Sequence, residues 1–334
     1  FRIEKGTALS GNDRVPTQDL SATISVEPGR IRVGKVTGSY GTLQMTDGKA
    51  VVSFLDEGPW MELDISGNMT AADLVKFSTK TEQVSLVNPS LPQRLTAMHG
   101  RILFSQTGGA QFDQVTANVG ETQLQFNGMI SGGTPSVFQD FVIRAKGSAA
   151  QLRQMVSAGT FPDDLLYGMV NAKVQLSGPS GAPHLRGEIG LNDAKLVLPM
   201  VGEKPLGSPA SLELDADVTR GVGLVISRME LVVPPLRLPL KGHITLGDQF
   251  SIDASLASGT VSLSSLPEWI YRSGFEAGNL ETSMDVKGTD AEWRNWRTGG
   301  WLALTNGLMS VKGVDGQVED IYLRLKFSKN IADI

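Results

Sequence analysis

Leu212-Glu213-Leu214-Asp215-Ala216-Asp217-Val218 alternates apolar and acidic residues without an error, and Phe250-Ser251-Ile252-Asp253-Ala254-Ser255-Leu256 repeats the alternation further along. A period of two sends successive side chains to opposite faces of an extended strand, so these stretches bury one face and wet the other. One-sided strands belong to antiparallel sheet. The same pattern recurs at Met61–Ile65, Leu124–Phe126, Val174–Leu176, Met284–Val286 and Ile321–Phe327. Between them stand Asp47-Gly48, Gly108-Gly109, Gly132-Gly133, Gly247-Asp248, Asn306-Gly307 and Asp315-Gly316, dipeptides that suit hairpin turns. Many strands end in glycine, at Gly67, Gly128, Gly147, Gly178, Gly242 and Gly288, where the missing Cβ permits a bulge or bend. The expected fold is mainly β: an elongated, curled antiparallel sheet, a β-taco or groove-like repeat array, with about three short helices.

Composition agrees. The chain has 334 residues, of which 40% are apolar and 19% charged, with 38 glycines and 16 prolines, the profile of many short strands joined by tight turns. A net charge of -5 with scattered lysines and arginines leaves no electrostatic footprint for nucleic acid. The absence of cysteine removes thiolate metal sites, disulfides and cysteine nucleophiles. No apolar run reaches the roughly 18 residues of a membrane-spanning helix, so any anchor is expected outside this segment. Phe1-Arg2-Ile3-Glu4 reads as a strand rather than a start or a signal peptide, and a strand pattern runs almost to the last residue. The expectation is a segment of a longer protein.

Helical spacing interrupts the strands at Ala71–Thr79, Ser148–Ser157 and Ser262–Ser273. In the first, Thr70 caps and Leu74, Val75 and Phe77 face inward. In the second, Ser148 caps and Leu152, Met155 and Val156 share a face. In the third, Ser264 or Ser265 precedes Leu266, Pro267 and Trp269, with proline in the first turn. Strands flank each helix, so the chain reads as one continuous array of irregular units. The units span 1–147, 148–261 and 262–334, the last one truncated.

Val174 to Pro199 reads VQLSGPSGAPHLRGEIGLNDAKLVLP: a strand ending in glycine, a proline turn, Leu-x-Gly, then Asn-Asp-Ala and another strand. Leu302 to Val311 has a similar cadence around Asn306-Gly307. This resembles a unit of the AsmA, TamB and YhdP superfamily of bacterial bridge-like lipid transfer proteins, closely over Ser148–Ser328 and more loosely before. The resemblance implies a periplasmic protein of a diderm bacterium, anchored in the inner membrane by a segment not included here. It implies a hydrophobic groove that passes phospholipids between inner and outer membranes, with acyl chains as the bound partner and an outer-membrane or envelope protein as a possible further one. It implies no cofactor and no chemistry. On that reading the groove is lined by Leu63, Ile65, Leu124, Phe126, Val174, Leu176, Leu212, Leu214, Val218, Phe250, Ile252, Leu256, Met284, Val286, Leu323 and Leu325.

The same apolar rows also describe the packed inner faces of an ordinary sandwich or barrel, and the pattern alone leaves open whether protein or lipid faces them. Trp293, Trp296 and Trp301, flanked by Arg294 and Arg297, support an alternative: a structural β-repeat module that binds polysaccharide or protein. The plainer reading is that they cover the end of a core. His99, His184 and His243 are isolated, and Asp163-Asp164 and Glu319-Asp320 are adjacent pairs suited to solvated turns. Without a nucleophile elbow, phosphate loop or dinucleotide fingerprint, no catalytic or metal residue is assigned and the chain is not expected to be an enzyme.

Overall fold

The computed structural model describes residues 2–10, 13–40, 43–54, 59–70, 94–156, 166–198, 202–219, 223–245, 251–257, 259–270, 275–289, 295–310, 317–328 and 331–333. Among them the chain is mainly strand. It divides into two compact units, Phe1–Gly147 with Lys173–Pro183, and Ser148–Ala172 with His184–Ile334. Residue 261 lies inside the second unit.

The first unit is an antiparallel meander: β1 (Arg2–Ser10), β2 (Asp13–Glu27), β3 (Arg30–Tyr40), β4 (Leu43–Ser53), β5 (Met61–Thr70), β6 (Arg94–Phe104), β7 (Ala110–Val119), β8 (Thr122–Ser131) and β9 (Val137–Ser148). Each strand pairs with the next. Every pair from β2–β3 to β8–β9 shifts register within the strands. Such bulges bend a strand and increase its twist, so their recurrence creases the sheet. Leu95, Met98, Ile102, Phe112, Val115 and Ala117 are buried on β6 and β7. Phe112 meets Phe141 edge to face at 5.4 Å.

The second unit starts with helix α1 (Ala149–Val156), where the Ser148 hydroxyl accepts the Gln151 N–H at 3.2 Å and caps the first turn. Strand β10 (Leu166–Pro179) follows, its residues from Lys173 onward belonging to the first unit. Then come β11 (His184–Gly190), β12 (Ala194–Leu198), β13 (Gly202–Lys204), β14 (Ser211–Thr219), β15 (Gly223–Val233), β16 (Leu236–Thr245), β17 (Ser251–Ala257), β18 (Val261–Ser262), β19 (Phe275–Gly288), β20 (Arg297–Ser310), β21 (Gln317–Ser328) and β22 (Ile331–Asp333). The main antiparallel sheet runs β11, β14, β15, β16, β17, β19, β20, β21, β22, with β18 also on β19. A small ladder joins the start of β10 to β12 and β12 to β13.

Three expectations need correction or restriction. Among the described residues the one α-helix is Ala149–Val156, within the second of the three expected segments. In the third segment the described residues, 262–270, instead hold a 3-10 turn at Leu263–Ser265, followed by a turn in which the Ile270 N–H reaches the Pro267 carbonyl at 3.1 Å. Leu266 stands directly before Pro267, and the proline ring forces it out of helical geometry, to ψ 145°. The region 71–79 lies outside the described residues. Asp47-Gly48 and Asn306-Gly307 are not hairpin turns but lie inside β4 and β20 at register shifts. Asn306 takes φ 51°, and a bulge asks for the same left-handed geometry as a hairpin turn. Gly67, Gly128 and Gly242 likewise lie within strands rather than at their ends.

Candidate apolar groove of the second unit

Pairing register places the alternating residues of the second unit on one face. One row crosses the sheet as Leu214, Met229, Leu240, Leu256 and Met284. A second runs Ala216, Ile226, Gly242, Ala254 and Val286, and a third Val218, Leu224, Ile244 and Ile252. On the other side of the first row lie Leu212, Leu231 and Leu238. Leu323 and Leu325 pair with Leu304 and Leu302 and carry the same face onto β21. Phe250 lies outside the described residues.

The opposite face is charged. His184 Nδ1 lies 2.9 Å from Asp217, Arg186 Nε donates to Asp215 at 3.2 Å, and Lys287 Nζ donates to Asp253 at 3.0 Å. Glu230, almost fully buried, accepts from Arg228 at 2.6 Å and Arg237 at 3.3 Å. The Arg228 hydrogen bond holds its carboxyl below the usual range, against the opposing effect of burial, with the charges of both arginines adding to the lowering.

The two ends of the apolar face differ in packing. At one end, Ala149, Val170, Leu191, Ala194, Ala210 and Val233 form a buried cluster, and Leu263, Leu266, Ile270 and Leu304 form another. Trp269 packs against both. There α1, the small ladder and the 263–270 turns cover the sheet. Along the first row, in contrast, Leu214, Met229, Leu240, Leu256 and Met284 are all half-buried. In the adjoining rows Ala216, Ile226, Ala254 and Val218 are buried, so the half-buried first row is the part of this face that an apolar ligand can reach.

In the first unit the predicted residues take another setting. Ile65, Leu124 and Leu176 are buried, and Leu63, Phe126 and Val174 are half-buried. The row Val26, Ile31, Val52, Met61, Phe104, Ala110, Ile130 passes from 76% exposure at Val26 to 2% at Ala110. Strands β6 to β9 of this unit thus present a filled core.

Met229, Leu238, Leu240 and Leu302 were not among the residues expected on this face. Leu236-Arg-Leu-Pro-Leu240 carries the alternation, but Pro239 disguises it; that proline lies outside the stretch of β16 paired with β17. Of the tryptophan cluster, Trp301 faces the charged side, with the Arg324 guanidinium 4.8 Å from its ring centre, while Trp293 and Arg294 lie outside the described residues. His99 and His243 are exposed, and no group of three or more histidine and acidic side chains among the described residues is arranged to hold a metal. No helix among the described residues is long and apolar enough to cross a membrane. Comparison with protein-family models, with curated proteins and with solved structures found no match to this chain.

Proposed function

We propose that the half-buried apolar row of the second unit binds phospholipid acyl chains, as part of a non-catalytic groove segment of a bacterial envelope protein that conducts lipid between the two membranes. The observation that carries this reading is the row Leu214–Met229–Leu240–Leu256–Met284, apolar throughout and half-buried along its whole length. From β14 to β20 the strand spacing gives this face a width of about 24 Å, more than the ~15 Å hydrocarbon depth of one leaflet. Each methylene laid on it gains roughly 0.8 kcal/mol, so affinity needs no specific polar contact. The likeness of Val174–Pro199 and Leu302–Val311 to AsmA-like repeats supports the same reading, and with it a periplasmic location and an inner-membrane anchor elsewhere in the protein.

Mass spectrometry of the purified chain tests it. Phospholipid is expected to co-purify, Leu214→Glu to remove it while the far-ultraviolet circular dichroism stays unchanged, and Ser255→Glu on the charged face to retain it. A lipid-free chain that also fails to take up phospholipid from vesicles would sink the reading.

A further inference from the structure

The two most exposed large apolar side chains among the described residues, Val26 and Phe54, stand at the same end of the first unit. Alternate connections of an antiparallel meander share an end, and this end gathers residues 28–29, 54–60, 105–109 and 132–136. Residues 180–183 join it through the Ser180 N–H, which donates to the Ser136 carbonyl at 2.8 Å. Trp60 is exposed here as well, its ring 6.4 Å from that of Phe104. Phe104 ends the row that leads from Val26 through Ile31, Val52 and Met61, so the exposed rim continues an apolar row of the sheet.

Three features of this end select its partner. The first is a backbone that closes on itself. The Ser53 N–H donates to the Trp60 carbonyl at 2.7 Å, the Phe54 N–H to the Gly29 carbonyl at 2.9 Å and the Trp60 N–H to the Phe104 carbonyl at 3.0 Å. In the next connection the Ser105 N–H donates to the Gly109 carbonyl at 2.9 Å, and the Gly109 N–H to the Ser105 hydroxyl at 2.9 Å. The buried hydroxyls of Ser136 and Ser180 bond each other at 2.7 Å. Connections that satisfy their own polar groups lose little when water is withdrawn, which is what a bilayer demands, whereas a protein partner would use open polar groups for hydrogen bonds of its own. The second feature is charge. Residues 105–109, 132–136 and 180–183 include no charged side chain, and Glu27 is neutralised by Arg32 at 3.0 Å. Arg30 is exposed beside the Pro28-Gly29 turn without an ion pair among the described residues, a cation free to meet lipid phosphate. The third is the mixture of an aliphatic, a phenyl and an indole side chain, which suits the boundary between headgroups and acyl chains.

We infer that this end of the first unit docks on the surface of a phospholipid bilayer, with Val26, Phe54 and Trp60 at the acyl boundary and Arg30 among the phosphates. The inference does not rest on the acyl-chain reading, which concerns the row of the second unit.

The test uses the full chain and sedimentation with phosphatidylcholine vesicles, a zwitterionic probe because Asp56 and Glu57 of the same connection, outside the described residues, would be repelled by anionic lipid. The native chain and Leu214→Glu are expected to bind alike, Phe54→Ser about tenfold more weakly, and Phe54→Trp at least as tightly as the native chain. The chain has no cysteine, so Phe54→Cys alone places a nitroxide label. On vesicles that label should gain collisions with oxygen and lose them with a water-soluble nickel complex, while a label on Glu121→Cys, at the opposite end of the unit, stays in water. Equal binding by Phe54→Ser, loss of binding in Leu214→Glu alone, or a label at residue 54 that remains in water on vesicles would each overturn the assignment. So would a vesicle-free dimer of the native chain that Phe54→Ser dissociates, since the occupant would then be a second copy.

Discussion

The backbone carbonyl of Asp140 points at the Cα of Gly128 on the neighbouring strand so closely that a Cβ on Gly128 would lie 2.3 Å from it. Asp140 takes φ 47°, Gly128 takes φ 120°, and the register between β8 and β9 shifts beside them, between Asn127 and Met129. A residue in the left-handed region on one strand thus requires glycine on the next. The rings of Phe112 and Phe141 meet on the strands to either side of Gly128, where a side chain would otherwise stand. Gln114 and Gly100 repeat the relationship two ladders earlier, between β6 and β7, at φ 49° and 141°.

Gly128→Ala should therefore cost more than the usual glycine-to-alanine change in a strand. Strained φ and a carbonyl clash together are expected to destabilise the chain by about 3 kcal/mol or more. Gly34→Ala is the control: nothing lies within 4 Å of its Cβ position and its φ is not left-handed, so stability should be unchanged or rise by about 0.5 kcal/mol. Urea midpoints of the two variants measure the difference.

Leucines at the covered and uncovered parts of the apolar face should respond differently to truncation. Leu304, 2% exposed in a closed cluster, is expected to lose about 3 kcal/mol on change to alanine. Leu240, half-buried in the open row, should lose only about 1 kcal/mol, with a clearer fall in the binding of a fluorescent fatty acid. Equal stability losses would mean that the row is covered in solution.

Glu230 should make the second unit sensitive to acid. Its folded pKa is lowered, chiefly by the Arg228 hydrogen bond, so its contribution is complete above the unfolded carboxyl value and is lost as pH falls through the folded one. Glu230→Gln is expected to flatten this part of the stability profile and to cost about 1–2 kcal/mol at neutral pH, a modest loss because both arginines can rehydrate. Thermal midpoints collected from acid to neutral pH provide the check.

Lys204 should act in the opposite sense. Burial lowers its pKa, so between the folded and unfolded values the unfolded chain holds the extra proton and stability rises with pH. Lys204→Met should abolish that alkaline gain in a denaturant titration across the basic range.

The strands were legible because burial of one face writes a period of two into the residues, and Leu212–Val218 carries it whole. The face of the candidate groove followed from the same signal. The bulges were not legible, because Asp47-Gly48 and Asn306-Gly307 are dipeptides that suit a hairpin turn and a register shift inside a strand alike, and only long-range pairing separates the two. The Ser262–Ser273 helix failed on one peptide unit, the restriction that Pro267 imposes on Leu266. Nothing in Gly202-Glu-Lys-Pro205 marks Lys204 as buried: the carbonyls that receive it belong mostly to Asn192 and Ala194, and a loop-like sequence is silent about such partners.

The chain passes between its two units at 147/148, at 172/173 and again at 183/184. No single cut of the polypeptide can therefore yield both units whole: truncation after Gly147 deprives the first of Lys173–Pro183, and a start at His184 deprives the second of α1 and the beginning of β10. During synthesis the first unit must wait, with its last segment missing, while residues that belong to the second are made. Excising or duplicating either unit at a single breakpoint would carry part of the other with it.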